Sequence, residues 1–150
     1  MTLTLAFLIN TAVVIATMLI HYEALFWLSK KLPKLCQIRP KFQVLVGALC
    51  IFLVHVLEIW LFALAFYFSS QIEGMGSLVG NLYDNGGILD CVYLSFVTFT
   101  TVGYGDVVAH GQLRYLGGVE ALTGIVLITW SASFLFVEMQ RNWADLRKLK

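Results

Sequence analysis

The sequence predicts an all-α membrane protein with three spanning helices, because of its composition and of how its apolar residues are grouped. Of the 150 residues, 59% are hydrophobic and only 13% are charged, whereas a typical soluble domain has about 25% charged residues. The apolar residues form long blocks, which excludes a soluble fold and a disordered chain. The net charge of +1 argues against a nucleic-acid partner, and three scattered cysteines make no disulfide framework.

Three blocks are long enough to span a membrane, and they cover residues 4–28, 42–69 and 116–137. A hydrocarbon core of about 30 Å takes roughly 20 helical residues to cross. A cleaved signal peptide is the alternative for the first block, but no basic residue precedes that block and no small-residue cleavage site follows it. A fourth apolar stretch, 88–102, is too short to span and suits a re-entrant segment, which must be buried in protein or line water.

Charge placement predicts the orientation. Segments 30–41 and 139–150 hold nine of the ten lysines and arginines. An odd number of crossings puts both segments on one side, which the positive-inside rule makes cytoplasmic. The N-terminus is then outside, with the net-acidic region 71–114, which attracts cations. We expect a multi-pass protein of the plasma membrane (the inner membrane in a bacterium), in contact with membrane lipids, with a cytoplasmic C-terminus.

The strongest functional signal is the sequence TTVGYGD at residues 100–106, which directly follows the short apolar stretch. A pore for a bare cation must replace the ion's water oxygens with closely stacked protein oxygens. Backbone carbonyls supply that stack when successive residues turn them toward one axis, and this requires positive φ values that glycine tolerates. Gly103 and Gly105 alternate with side-chained residues, as this geometry needs, and Val102 and Tyr104 can then pack outward as struts.

This segment resembles the pore signature of potassium channels, residue for residue from Thr101 to Gly105, with Asp106 matching the acid that follows. The resemblance extends over about residues 44–137, in the order outer helix, re-entrant pore helix, selectivity-filter loop and inner helix. It implies a homotetramer around a central pore that conducts K⁺ passively, with no catalysis and no cofactor. A chance Gly-x-Gly loop is the alternative, which the position between two spanning helices disfavours.

The resemblance also implies roles for individual residues. The implied potassium ligands are the backbone oxygens of Thr101, Val102, Gly103 and Tyr104, with the Thr101 hydroxyl at the inner end. Gly105 completes the filter, which Thr100 and Asp106 support. The family's inner-helix hinge falls at Gly124. Candidates for the cavity wall, which share one helical face, are Ile128, Ala132 and Phe136; packing of this face on the second spanning helix is the alternative.

Four parts of the chain follow from this interpretation. They are an N-terminal spanning helix (1–29), a basic cytoplasmic loop (30–41), a potassium-channel pore domain (42–138) and a short cytoplasmic tail (139–150). The first helix has no counterpart in minimal two-helix channels and lacks the spaced arginines of a voltage sensor. The rival function is a non-conducting or accessory subunit that modulates another channel or transporter. An enzyme is disfavoured, because the sequence offers no nucleophile–base pair.

Ionisable residues inside the apolar blocks are costly at membrane depth and are usually functional. His55 and Glu58 lie three residues apart on one helical face, and Glu120 lies in the third block. We expect these three residues to form a buried polar network, either structural or proton-sensitive. A metal site there is disfavoured for want of a further imidazole or thiolate at suitable spacing. His21 and Glu23 are expected at the membrane interface in structural roles.

We predict that a cysteine introduced at Gln37 is labelled only from the cytoplasmic side, because segment 30–41 carries five basic residues and no acid. The measurement is labelling of intact cells by an impermeant thiol reagent, in a background without the native cysteines. Ser77→Cys in the outer region is the matched probe and should be labelled in intact cells. Labelling of Gln37→Cys from outside would show that the orientation is reversed.

Overall fold

The computed structural model describes residues 2–35 and 42–148, with side chains over 2–32 and 42–143. In chain order the elements are α1 (Thr2–Leu35), α2 (Gln43–Ser70), β1 (Leu78–Gly80), α3 (Ile88–Phe99), β2 (Val107–Ala109) and α4 (Leu113–Lys148). Three stretches are long and apolar enough to cross a membrane: Thr2–Leu32, Gln43–Ser70 and Leu113–Trp143. The expected set of three spanning helices with a shorter apolar helix between the last two is confirmed.

Two helices run past the bounds that hydropathy predicted. α1 continues through Lys30 and Lys31 to Leu35, and α4 continues to Lys148, so the predicted tail begins as helix. Charged residues end the apolar surface of a helix without ending the helix itself, which is why hydropathy underestimates helix length. Of the predicted basic loop, residues 36–41 lie outside the described residues.

The core lies where α3 is inserted between α2 and α4. Its most buried side chains include Phe62 and Phe66 of α2, Cys91 and Phe99 of α3, and Leu127 of α4. Burial, with the adjacent Asp90 charge, raises the pKa of the Cys91 thiol to about 11. The thiol therefore stays protonated at neutral pH and serves in packing.

A second, smaller apolar cluster attaches the later half of α1 to α2. It is formed by Leu25, Leu28 and Leu32 of α1 with Ile51 of α2. Three leucines at this spacing share one face of a helix. α1 therefore packs on α2 and α4 as part of the same bundle.

A two-stranded antiparallel ribbon, which was not predicted from the sequence, joins the loop after α2 to the segment after residue 106. Leu78 pairs with Ala109, and Gly80 pairs with Val107. The Asn81 N–H donates to the Asp106 carbonyl at 2.8 Å and extends the ribbon by one bond. Strands of three residues are too short for an alternating pattern to reveal them in a sequence.

Asp90 holds the entry to α3. Its carboxylate accepts backbone N–H bonds from Tyr83 at 2.8 Å, Asp84 at 2.9 Å and Gly86 at 2.8 Å. Burial by itself raises the pKa of this carboxyl, but the three N–H donors outweigh burial and lower the pKa below its usual value. The ionised acid in the first turn also suits the positive end of the helix dipole.

We predict that Asp90→Asn lowers the free energy of unfolding by about 3 kcal/mol, because a neutral amide replaces an ionised acceptor of three N–H bonds. Since the folded-state pKa is lowered, this stabilisation is present above the carboxyl pKa of the unfolded chain and is lost as pH falls through the folded value. Unfolding of both proteins is measured at several pH values from neutral to acid. Glu73→Gln, which changes an exposed acid in the segment between α2 and α3, is the control. A difference between Asp90→Asn and wild type that does not shrink at acid pH would contradict this role.

Candidate functional site

The TTVGYGD segment, residues 100–106, leaves the end of α3 with alternating backbone handedness. Positive φ values occur at Thr101 (60°), Gly103 (51°) and Gly105 (80°). Alternation of left- and right-handed residues turns successive N–H groups to one side and carbonyls to the other. The N–H side faces α3, because Thr101 donates to the Thr98 carbonyl at 2.9 Å and Gly103 donates to the Val97 carbonyl at 3.0 Å. The row of carbonyl oxygens therefore lies on the side away from α3.

Thr101 is the residue in this segment that the sequence did not mark as strained. A residue with a Cβ loses about 1–2 kcal/mol in the left-handed region, and such strain persists where surrounding contacts hold it. Here the contact is the Thr101 N–H bond to the last turn of α3. The sequence indicated positive φ at the two glycines and pointed to Thr101 only as a source of a hydroxyl oxygen.

Among the described residues, the side chains of Val102 and Tyr104 are left largely uncovered, at 53% and 73% exposed. The strut role expected for them therefore needs contacts from outside this chain. Beside the segment lies a cavity of about 310 Å³. Its lining includes Gly103, Gly105 and apolar side chains such as Leu94.

Asp106, at the end of the segment, is held from two directions. Its carboxylate accepts the Tyr93 hydroxyl of α3 at 2.7 Å, and its carbonyl accepts the Asn81 N–H at 2.8 Å. The bond to the carboxylate, followed by burial, raises the pKa of the Tyr93 hydroxyl. Tyr93 was not predicted as a site residue. The signal that could have identified it is a phenol on the face of α3 next to residues 100–106.

Gly124 of α4 makes a close contact with the end of α3. A Cβ added at Gly124 would lie 2.0 Å from the Phe99 carbonyl oxygen, two residues before Thr101. α4 continues through Gly124 as one helix. The other predicted inner-helix residues, Ile128, Ala132 and Phe136, are exposed along α4. They remain candidates for the cavity wall.

Glu120 is fully buried, and it does not join His55 and Glu58 in one network. Ser95 of α3 hydrogen-bonds to one Glu120 oxygen and, at 2.8 Å, to the Ile59 carbonyl of α2. The other oxygen, Oε2, has no hydrogen-bond partner in the described part of the chain. The expected single network is therefore two separate ones, because α3 lies between the two acids.

His55 and Glu58 are joined instead by His21 of α1 and Ser131 of α4. The Glu58 carboxylate lies 2.8 Å from Nδ1 of each imidazole, and Ser131 Oγ lies 3.4 Å and 3.1 Å from Nε2 of His21 and His55. His21 and Glu58 are completely buried. The expectation that His21 lies at the membrane interface is thus wrong, because packing of α1 on α2 encloses it.

The side chains of His21, His55 and Glu58 bring three possible metal-ligand atoms within 4.8 Å of one another. Imidazole and carboxylate together suit transition metals. Each Nδ1, however, lies at hydrogen-bond distance from a Glu58 oxygen, and a proton in that bond occupies the lone pair that a metal would need. The arrangement is therefore a hydrogen-bonded cluster.

Three spanning helices around a short inserted helix and a strained loop define a multi-pass membrane protein. The chain belongs to an ion channel family: the family model described as "Ion channel" matches residues 42–141, more than half of the chain. Membership of this family indicates ion transport and not catalysis. The matched region runs from the start of α2 into α4 and leaves α1 outside. No curated protein and no solved structure matches the chain.

We predict that Gly124→Ala destabilises the protein by about 1–3 kcal/mol, the usual cost of overpacking a core, because its Cβ meets the Phe99 carbonyl. The matched control is Gly118→Ala on the same helix, where a Cβ meets nothing within 4 Å. That change should be neutral or stabilising, since alanine favours helix. Thermal unfolding in detergent ranks the three proteins. Gly124→Ala as stable as Gly118→Ala would show that α4 does not press on α3 at this point.

Proposed function

We propose that the protein is a potassium-selective channel in which four copies of the chain surround one pore, each supplying residues 101–105 as a filter strand. The observation that carries this proposal is the alternating handedness at Thr101, Gly103 and Gly105, with the N–H groups turned toward α3. A row of carbonyl oxygens on the opposite side is what a dehydrated cation requires in place of its water shell. The ligands are the backbone oxygens of Thr101, Val102, Gly103 and Tyr104, with the Thr101 hydroxyl.

The surfaces that a single chain leaves uncovered support assembly into a tetramer. One chain supplies one row of oxygens, and an ion needs oxygens on all sides. Tyr104 is 73% exposed and Phe136 is 54% exposed. The cavity beside Gly103 and Gly105 offers space for a side chain from a neighbouring copy.

Charge around the segment favours a cation. The carboxyl end of α3 precedes the segment, and a helix C-terminus carries partial negative charge. Region 71–114, which the charge pattern predicts to be outside, is net acidic and includes Asp106 at the end of the segment. These charges concentrate cations and repel anions at the outer mouth. On the inner side of the filter, the exposed residues Ile128, Ala132 and Phe136 of α4 line the inner cavity of the pore, and Gly124 is the hinge of this helix.

We predict that Gly103→Ala abolishes potassium selectivity while the protein still inserts and assembles. Gly103 has a φ of 51°, and no atom of the described chain lies within 4 Å of where a Cβ would be. Within one chain, the effect of a Cβ is therefore backbone strain of about 1–2 kcal/mol. The measurement is potassium and sodium flux through liposomes that contain the purified chain alone.

The matched control is Gly86→Ala, which has the same kind of strain, φ of 83° and open space, in the outer loop. Its selectivity should equal that of wild type. Wild-type selectivity in Gly103→Ala would refute the filter assignment. Absence of flux from the wild-type chain alone, in liposomes where it is shown to be inserted, would favour the accessory-subunit function instead.

A further inference from the structure

Three spanning helices meet at a closed ring of four polar side chains: His21 of α1, His55 and Glu58 of α2, and Ser131 of α4. Glu58 bridges the two Nδ1 atoms, each at 2.8 Å. Ser131 bridges the two Nε2 atoms, at 3.1 Å and 3.4 Å. The imidazole rings stack with centroids 5.4 Å apart. The ring is thus bonded all the way round, and His21 and Glu58 within it are completely buried.

Counting protons shows when all four bonds can exist together. With Glu58 ionised and both imidazoles neutral, each Nδ1–H donates to the carboxylate, and both Nε2 atoms are then acceptors facing Ser131. A serine hydroxyl has one proton to donate, so one of these Nε2 atoms has no donor. One further proton removes the conflict, because one Nε2–H then donates to Ser131 while the Ser131 hydroxyl donates to the other Nε2.

The number of hydrogen bonds in the ring does not depend on which residue carries the extra proton. If it moves to Glu58, the acid donates to one Nδ1, and that imidazole donates from Nε2 to Ser131. All four bonds persist, and the ring has no net charge in either arrangement. Without the proton, the ring has a net negative charge and one unmade bond in a buried site, which is costly.

We propose that His21, His55, Glu58 and Ser131 form a binding site for one proton, and that the bound proton holds α1 against the channel domain. α1 lies outside the residues that match the ion channel family, and His21 is its contribution to the ring. The proposal is independent of potassium selectivity. The proton belongs to the cluster and not to any one residue.

The side chain of Phe99 connects the ring of four polar residues to the TTVGYGD segment. The His55 imidazole packs on the Phe99 ring, with centroids 5.8 Å apart, and Phe99 is the last residue of α3. Among the other acids on these helices whose side chains are described, Glu120 bonds to Ser95, Glu138 bonds to Gln43 and Arg141, and Glu23 faces outward. α3 contributes an aromatic ring and no titratable group at this place. Loss of the proton therefore acts on α1 and on the base of the segment together.

The test compares Ser131→Ala with Ser133→Ala in the full chain, in lipid nanodiscs. Ser131 closes the ring, whereas Ser133, two residues along α4, is exposed and bonds only to the Thr129 carbonyl among the described contacts. Nitrogen-15 NMR of labelled histidines and the infrared carboxylic-acid band report the ring's protonation from pH 5 to 9. His110, which is exposed, is an internal reference in every sample.

We predict that Ser131→Ala weakens binding of the ring proton by about tenfold or more, since a hydrogen bond to the protonated ring is lost. Ser133→Ala should match wild type, and the NMR signals of His110 should be the same in all three proteins at each pH. Thermal unfolding should show wild type losing stability as pH rises through the ring's midpoint, because the folded state binds the proton more tightly than the unfolded chain does. Ser131→Ala should lack that loss in the same pH window.

Equal proton affinity in Ser131→Ala and wild type would overturn the proposal. So would imidazole shifts that a chelator changes, which would show a bound metal in place of the proton. Neither readout involves ion flux, so failure here leaves the proposed channel function standing, and failure of the flux experiments leaves this site standing.

Discussion

The rest of the structure depends on how the backbone of residues 100–103 is satisfied. An irregular backbone at membrane depth survives only where its polar groups find partners in protein or line water. Here the last turn of α3 supplies the partners, since the carbonyls of Phe96, Val97 and Thr98 accept N–H groups from residues 100, 103 and 101. With the N–H side occupied, the carbonyl side is left free. The strained φ at Thr101 and the exposed oxygens are therefore two results of one set of bonds.

Everything that positions α3 consequently positions the site. At its start, Asp90 collects three backbone N–H groups. At its middle, Ser95 ties α3 to α2 through the Ile59 carbonyl. At its end, Gly124 lets α4 approach the Phe99 carbonyl. Apolar side chains pack as well against lipid as against each other, so polar bonds and close backbone contacts decide which helix faces meet. The ring around Glu58 follows the same rule for α1.

The fold was predictable as far as hydropathy and length determine it. Spanning helices can be recognised in a sequence because roughly 20 apolar residues must be consecutive. The apolar stretch of α3 could be distinguished from them because it is too short to span the membrane. The ribbon between Leu78 and Ala109 was not predictable, since three-residue strands carry no period. Helix ends were not predictable either: Lys30 and Lys31 leave the apolar region while the backbone stays helical.

For the site, the sequence by itself predicted two of the three residues with positive φ, because Gly103 and Gly105 lack the Cβ that disfavours this conformation. It also predicted the burial of Glu58 and Glu120, which lie inside apolar blocks, but not the burial of His21. Only the tertiary structure decided their partners. Glu120 bonds to Ser95, and Glu58 bonds to His21, which lies 37 residues away along the chain. Such pairings depend on the rotation and depth of whole helices against one another, and those quantities are set by contacts across the bundle, which no local pattern contains.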